Sequence, residues 1–387
     1  MSVLDSALSA DDRVITETAA AFAAKRIAPH ALDWDAEKHF PADELREAAE
    51  LGMAAIYCSE EFGGSGLTRL DGVRIFTELA AADPTTAAFL SIHNMATWMV
   101  DCYGTAEQRA QWVPRMASME AVASYCLTEP SAGSDAAALR TRADRDGDDF
   151  VLNGVKQFIS GAGTSDVYIV MARTGGDGPK GISTFIVENG TPGLSFGAQE
   201  KKMGWHAQPT AAVVFDDVRV PAANMVGGEA GEGTGFRIAM NGLNGGRINI
   251  AACSLGGAQD AMARTRRYLR EREAFGGSLI DEPTIRFTLA DMAIDLEASR
   301  LMLWNAASAL DADHPDKVTS CAMAKRFVTE RCFAVADQAL QLHGGYGYLH
   351  DYGLEKIVRD LRVNRILEGT NEIMRMVVGR AIAKENP

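Results

Sequence analysis

The chain has 387 residues, 47% of them hydrophobic, enough for two or three packed units with a large core. Its 38 basic and 52 acidic residues leave a formal charge of −14, which argues against a general nucleic-acid surface or attraction to anionic membranes. The six cysteines, Cys58, Cys102, Cys126, Cys253, Cys321 and Cys332, form no Cys-x-x-Cys pair or zinc spacing and read as buried thiols in a reducing compartment.

At the amino terminus, Met1-Ser2-Val3-Leu4-Asp5-Ser6-Ala7-Leu8 lacks a basic n-region, a long apolar run or the Arg-rich character of a transit peptide. No later run is apolar enough to span a bilayer, so the expected location is a bacterial cytoplasm. Residues 9–119 read as helical, with apolar periodicity over 14–27, 42–51 and 70–82, punctuated by Gly63-Gly64-Ser65-Gly66 and Pro84. From about 121 to 226 the period shortens. Phe150-Val151-Leu152, Phe158-Ile159, Val167-Tyr168-Ile169-Val170-Met171, Ile182-Ser183-Thr184-Phe185-Ile186-Val187 and Ala212-Val213-Val214-Phe215 read as strands of a mostly antiparallel unit. Asn153-Gly154 predicts a hairpin between the first two.

Beyond Gly227-Gly228 and a Gly-rich connector, helical patterns return. Residues 285–310 and 318–342 predict two long members of an antiparallel bundle, the second ending at Gly344-Gly345. The segregation of helix, sheet and helix predicts an α+β fold divided at 1–120, 121–228 and 229–387.

Several chemistries drop out on context. Gly176-Asp177-Gly178-Pro179-Lys180-Gly181 matches the dinucleotide fingerprint in letters, but Pro179 and another strand follow where a helix is required, so it reads as a hairpin loop. His30, His39, His93, His206, His314, His343 and His350 make no metal spacing, and no P-loop or Gly-x-Ser-x-Gly elbow is present.

Two segments suggest a different chemistry. Tyr125-Cys126-Leu127-Thr128-Glu129-Pro130-Ser131-Ala132-Gly133-Ser134-Asp135 runs from apolar residues through a turn into small and hydroxylated ones, and Phe158-Ile159-Ser160-Gly161-Ala162-Gly163 ends a strand in a hydroxyl and glycines. Both could offer an aromatic face with hydroxyl and amide donors to a flat polar ring. Near the carboxyl terminus, Glu368 follows an apolar run and precedes Gly369, which permits a sharp turn, and Thr370-Asn371, which can cap a helix reaching about residue 384. A carboxylate at such a joint is either a desolvated general base or a charge favoured by a helix N-terminus.

These segments, with Arg272-Glu273-Ala274-Phe275-Gly276, Gln341-Leu342-His343-Gly344-Gly345 and Glu368-Gly369-Thr370 in this order, resemble the acyl-CoA dehydrogenases over nearly the whole chain. Lys202-Met203-Gly204-Trp205, Gly242-Leu243-Asn244-Gly245-Gly246-Arg247 and His343-Gly344-Gly345-Tyr346-Gly347-Tyr348 point to the isobutyryl-CoA branch of that family. The resemblance implies FAD as cofactor and Glu368 as the base that removes the thioester α-proton, while a hydride leaves the β-carbon for the flavin. Gly246 stands where some relatives carry the base.

By the same resemblance, Tyr125, Leu127, Thr128, Gly133, Ser134, Phe158, Ile159 and Ser160 line the flavin, with Ser160 offering a hydroxyl near N5. Thr370 and Glu372 are further FAD contacts, and Ser134, Asn244, Arg247 and Arg380 contact acyl-CoA. Leu342 and Gly344 are FAD contacts too, while Arg272, Phe275, Gln341 and Gly345 serve the FAD of a neighbouring subunit, which implies a homotetramer, and electrons pass to an electron-transfer flavoprotein. The expected reaction is isobutyryl-CoA to methacrylyl-CoA in valine breakdown. Alternatives are a 2-methylbutyryl- or butyryl-CoA dehydrogenase, an acyl-CoA oxidase, or a non-catalytic acyl-CoA binding protein. Phe158 and Ser160 replace the family's usual tryptophan and threonine, keeping a ring and a hydroxyl. Pro283 stands where many relatives carry an FAD-binding glutamine.

Overall fold

The computed structural model describes residues 8–384, so most of the terminal segment read for targeting signals lies outside them. Among the described residues six α-helices come first: α1 (Ala10–Phe22), α2 (Ala31–Glu37), α3 (Ala42–Glu50), α4 (Arg69–Ala82), α5 (Pro84–Tyr103) and α6 (Ala106–Ala117). Ser9, Thr68 and Thr105 cap α1, α4 and α6 with reciprocal capping boxes, each satisfying two otherwise orphaned N–H groups. Pro84 opens α5 at its first position, where a missing N–H costs nothing.

Seven strands follow: β1 (Ala123–Cys126), β2 (Arg142–Asp146), β3 (Asp149–Ser160), β4 (Val167–Arg173), β5 (Ile182–Glu188), β6 (Leu194–Phe196) and β7 (Thr210–Pro221). The run β2-β3-β7-β6 is antiparallel, as is β4 with β5, while β1 lies parallel to β4. The 176–181 loop joins β4 to β5, as expected of a hairpin. The hairpin expected at Asn153-Gly154 does not form. Both lie inside the continuous β3, and the turn falls at Gly147 (φ 64°), between β2 and β3. Gly154 is needed for close approach instead, since a Cβ there would sit 2.5 Å from Thr141 Oγ1.

The remaining chain forms α7 (Gly235–Glu271), a two-stranded β8 (Glu273–Ala274) and β9 (Gly277–Ser278), then α8 (Pro283–Asp311), α9 (Lys317–Leu342), α10 (Leu354–Arg362) and α11 (Asn371–Ile382). One apolar core joins the first helices to α7, α8 and α9. A second fills the space between α5, α6 and the sheet, and a third lies within the β unit. Five cysteines are buried as expected, but Cys102 is exposed.

Lys356 ties the three parts together. Its buried ammonium lies 2.5 Å from Asp83, the cap of α5, and 2.6 Å from Asp360, which also accepts from Thr85 Oγ1 and from the backbone N–H of Trp205 in the β unit. Burial alone would lower the lysine pKa, but Asp360 and Asp83 hold it above its ordinary value. Beside it, Asp35, His350 and Glu355 converge within 4.8 Å, the one group of metal-ligand type among the described residues. Arg359 occupies both carboxylates, at 2.6 and 2.5 Å, so this is an ion-pair network.

Candidate active site

Glu368 sits where α10 has ended and α11 has not begun. Its φ of 57° and the 90° of Gly369 turn the chain back on itself, and a left-handed non-glycine residue costs about 1–2 kcal/mol. Two buried cations hold the main chain in that conformation. Arg247 Nε of α7 donates to Glu368 O at 3.3 Å, and Lys325 Nζ of α9 donates to Gly369 O at 2.7 Å and to Asn371 Oδ1 at 3.0 Å. Thr370 caps α11 through Ile373 N (3.2 Å). Asn371 is not a cap but a buried first-turn residue held by Lys325, Thr329 and Glu330.

The Glu368 side chain itself is left without a bond. The residue is part-exposed, yet Oε2 is buried with no hydrogen-bond partner, and among the described residues no ion pair forms on the carboxylate. Burial pushes its pKa up to about 7, against the opposing pull of the Arg247 and Lys325 charges. The carboxylate rests on α7 where that helix has no side chain: a Cβ on Gly246 would lie 2.5 Å from Oε2 and 2.8 Å from Cδ. Arg247 and Asn244 on the same turn are both buried and bonded to each other at 2.8 Å. Arg247 therefore holds the main chain of Glu368.

Tyr125, at the end of β1, faces the same space. Its hydroxyl is buried without a partner, and burial, reinforced by the Glu368 charge, drives its pKa well up. Beyond it Leu127 is buried, Thr128 is half-buried, and Gly133 and Ser134 stand on an exposed ledge. A pair absent from the sequence reading fixes this segment. Buried Lys156 donates to Leu127 O (3.0 Å) and Glu129 Oε1 (2.7 Å), and the Glu129 carboxylate accepts from Arg140 N (2.6 Å) and Thr141 N (2.9 Å). Removing one member of such a pair costs about 3–5 kcal/mol. Its available signal was a lysine in an otherwise inward-facing register of β3.

Opposite, β3 gains one residue against β7 between Lys156 and Ile159. This bulge puts Phe158 at φ 59° and swings its ring outward to 64% exposure, while Ile159 is buried and Ser160 accepts at Oγ from Gln208 Nε2. Re-aiming one ring out of a ladder is a common use of a bulge beside a binding site.

The remaining predicted residues fall into a second place. Arg272, Phe275, Gln341, Leu342, Gly344 and Gly345 all line a groove of about 670 Å³ with Tyr268, His343 and Tyr346. The β8-β9 turn holds Phe275 at φ 53° and 93% exposure, and the Arg272 guanidinium lies 5.9 Å from the Tyr346 ring. The groove shares no lining residue with the Glu368 site. Glu372 is exposed on the first turn of α11 and Arg380 on its last, and neither is drawn to Glu368 by a bond. Pro283 begins α8 at its first position, a place where proline is favoured.

The first site suits a flavin by what its own atoms lack. Tyr125 Oη, Glu368 Oε2 and Gln208 Oε1 are buried without partners, and the Phe158 ring is turned out by the bulge. Family models for the N-terminal, middle and C-terminal domains of acyl-CoA dehydrogenase match residues 9–120, 124–218 and 233–383. The chain is 52% identical to mitochondrial isobutyryl-CoA dehydrogenase of Bos taurus, over 98% of this chain and 90% of that one. It superposes with TM-score 0.94 and 39% identity on a chain from a structure described as the electron transferring flavoprotein of Acidaminococcus fermentans, covering 98% of this chain and 99% of that one. A glutaryl-CoA dehydrogenase of Mycobacterium smegmatis in complex with FADH2 superposes at TM-score 0.92 and 29% identity, covering 99% and 97%. With a carboxylate at the helix joint, a flavin-suited pocket around it and matches spanning all three parts, this chain belongs to the acyl-CoA dehydrogenase family of oxidoreductases acting on acyl-CoA.

Proposed function

We propose that the protein dehydrogenates a short branched-chain acyl-CoA, isobutyryl-CoA to methacrylyl-CoA in valine breakdown, with FAD as cofactor and an electron-transfer flavoprotein as acceptor. The observation that carries this reading is the Glu368 carboxylate: buried at Oε2, unpaired, with a pKa near 7, beside an orphaned tyrosine hydroxyl. A base in that state takes a proton near neutral pH without first giving up a salt bridge. The left-handed turn at Glu368 presents its backbone N–H as a donor for the thioester oxygen, where negative charge grows as the α-proton leaves. Bound FAD supplies the hydride acceptor for the β-carbon. Tyr125, Leu127, Thr128, Phe158, Ile159 and Ser160 hold and flank its ring, with Gly133 and Ser134 at its margin.

Asn244 and Arg247 serve acyl-CoA binding indirectly, through the main chain of the base. The exposed Arg140, in a hollow with Asp135 and Arg142, offers charge for the phosphates of CoA. The groove of Arg272, Phe275, Gln341, Leu342, Gly344 and Gly345 receives the FAD of another subunit in a homotetramer. Its separation from Glu368 and the exposure of Phe275 support that division. Thr370 acts through the helix cap, and the exposed Glu372 and Arg380 reach ligand at the subunit surface.

Anaerobic titration of the purified protein with a panel of acyl-CoAs, followed by flavin absorbance, tests the reading. Isobutyryl-CoA is expected to bleach the flavin ahead of butyryl-, 2-methylbutyryl- and isovaleryl-CoA. Best bleaching by a straight long chain would overturn the substrate assignment. Glu368→Gln keeps the shape of the side chain but cannot accept the proton, so it should bind FAD and thioester without being reduced. Normal turnover in that variant removes Glu368 from the role of base.

A further inference from the structure

Gln208 is 1% exposed and lies on the loop that leads into β7, directly across from the end of β3. Its Nε2 donates to Ser160 Oγ, and its Oε1 is buried without a partner. In this orientation the amide spends one of its two N–H groups on Ser160 and keeps its carbonyl oxygen free. The backbone around it is held from both sides. Lys202 Nζ binds Gln208 O and, at 2.8 Å, Thr210 Oγ1. Gln208 N donates to Trp205 O at 3.2 Å, and Trp205 N donates to Asp360 at 2.7 Å. A glutamine fixed so firmly, with one end on a hydroxyl beside the bulged Phe158, has few purely structural reasons to be polar.

We propose that Gln208 is a positioning residue for the redox site. By donating to Ser160 Oγ it occupies a lone pair of that oxygen and leaves the hydroxyl hydrogen to point outward, toward the acceptor edge of the flavin. Ser160 is then a directed donor, where an isolated serine could rotate to donate or accept. This inference rests on the FAD reading above and adds to it the residue that sets the hydroxyl's direction.

Gln208→Glu and Gln208→Met test it, each made in the wild-type and Ser160→Ala holoenzymes. An ionised carboxylate can only accept, so Gln208→Glu should draw the Ser160 hydrogen away from the ring, and the methionine of Gln208→Met cannot donate. Both should shift the visible absorption band of the bound flavin to that of Ser160→Ala. Each should also slow flavin reduction by isobutyryl-CoA by about tenfold, the scale of one lost hydrogen bond. In the Ser160→Ala background neither change should alter band or rate further, because the group they act through is gone. A wild-type band and rate in Gln208→Glu overturns the proposal, as does an equal loss in both backgrounds, which is what a packing role gives. Wild-type protein that binds no FAD overturns the functional reading and this inference together, whereas a yellow, bleachable wild type with uncoupled substitutions overturns the inference alone.

Discussion

At the scale of one residue, Glu368 combines two costs that a structural carboxylate avoids: a left-handed backbone and an unpaired buried oxygen. Because its folded pKa, about 7, lies above that of an unfolded glutamate, its contribution to stability is full below the unfolded value and is lost as pH rises through the folded one. Glu368→Gln carries no such loss. Its melting temperature should exceed that of the wild type at about pH 8.5, and the gap should close by about pH 4.5. Parallel pH profiles for the two proteins would show that the carboxylate is not desolvated. For the proposed catalytic role the sign is reversed, since a base acts only when ionised. The kcat/KM of the wild type should rise with pH and level off above about 7. A profile flat between about pH 5.5 and 8 would contradict a base of that pKa. The joint itself was legible in Gly369-Thr370, which announce a turn and a cap. The cations that hold it were not, because Arg247 and Lys325 reach it from other helices and bind main-chain oxygens, which carry no side-chain signature.

At the scale of elements, the site depends on two local irregularities, a helix face without a side chain and a strand with one residue too many. Gly246→Ala would place a methyl 2.5 Å from Glu368 Oε2. Helix propensity favours the alanine by about 1 kcal/mol, so the protein should stay folded with FAD bound. The Glu368 carboxylate must nevertheless swing off its resting place. Flavin reduction by substrate in stopped flow should slow by tenfold or more, since small misplacements of a reacting group carry large kinetic costs. An unchanged rate would show that the carboxylate acts from another position. The same irregularities mark the limits of the sequence. Asn153-Gly154 has the letters of a hairpin, but Gly154 is there because a Cβ would come within 2.5 Å of Thr141 Oγ1 on the neighbouring strand's approach, a contact that turn chemistry cannot reveal. Pro84 read as a break and proved a helix start, since the same fixed φ serves both. The Phe158-Ile159-Ser160 segment stood out by its ring and hydroxyl at a strand end and took its flavin role from resemblance, and the bulge that aims the ring became visible only in the register of β3 against β7.

For the whole molecule, the change of period from helix to strand and back foretold the order of the three parts, whereas the groups that join them are far apart in sequence. Lys356 and Asp83 are 273 residues apart. Lys356→Met would leave Asp83 and Asp360 buried side by side without their cation. Urea unfolding should show a loss of about 3–5 kcal/mol, and a loss within experimental error would mean that the junction relaxes to admit water. The outer face of α8 bears on the proposed assembly. Phe287, Ile294 and Leu301 recur every seventh residue, at 72, 64 and 48% exposure, so they form one apolar stripe along the helix. An apolar stripe of that kind suits a partner helix better than water. If the groove of Arg272 and Gln341 receives the FAD of another subunit, as proposed, assembly and cofactor retention should fail together. Phe287→Glu combined with Ile294→Glu places two charges in the stripe and leaves the Glu368 pocket untouched. Sedimentation velocity should show a species smaller than the wild-type assembly, and the ratio of flavin to protein absorbance should drop in parallel. A variant of wild-type size would free α8 from the interface. A smaller species with full flavin content would mean that each subunit holds its FAD alone, and that Arg272, Phe275 and Gln341 line the groove for another reason.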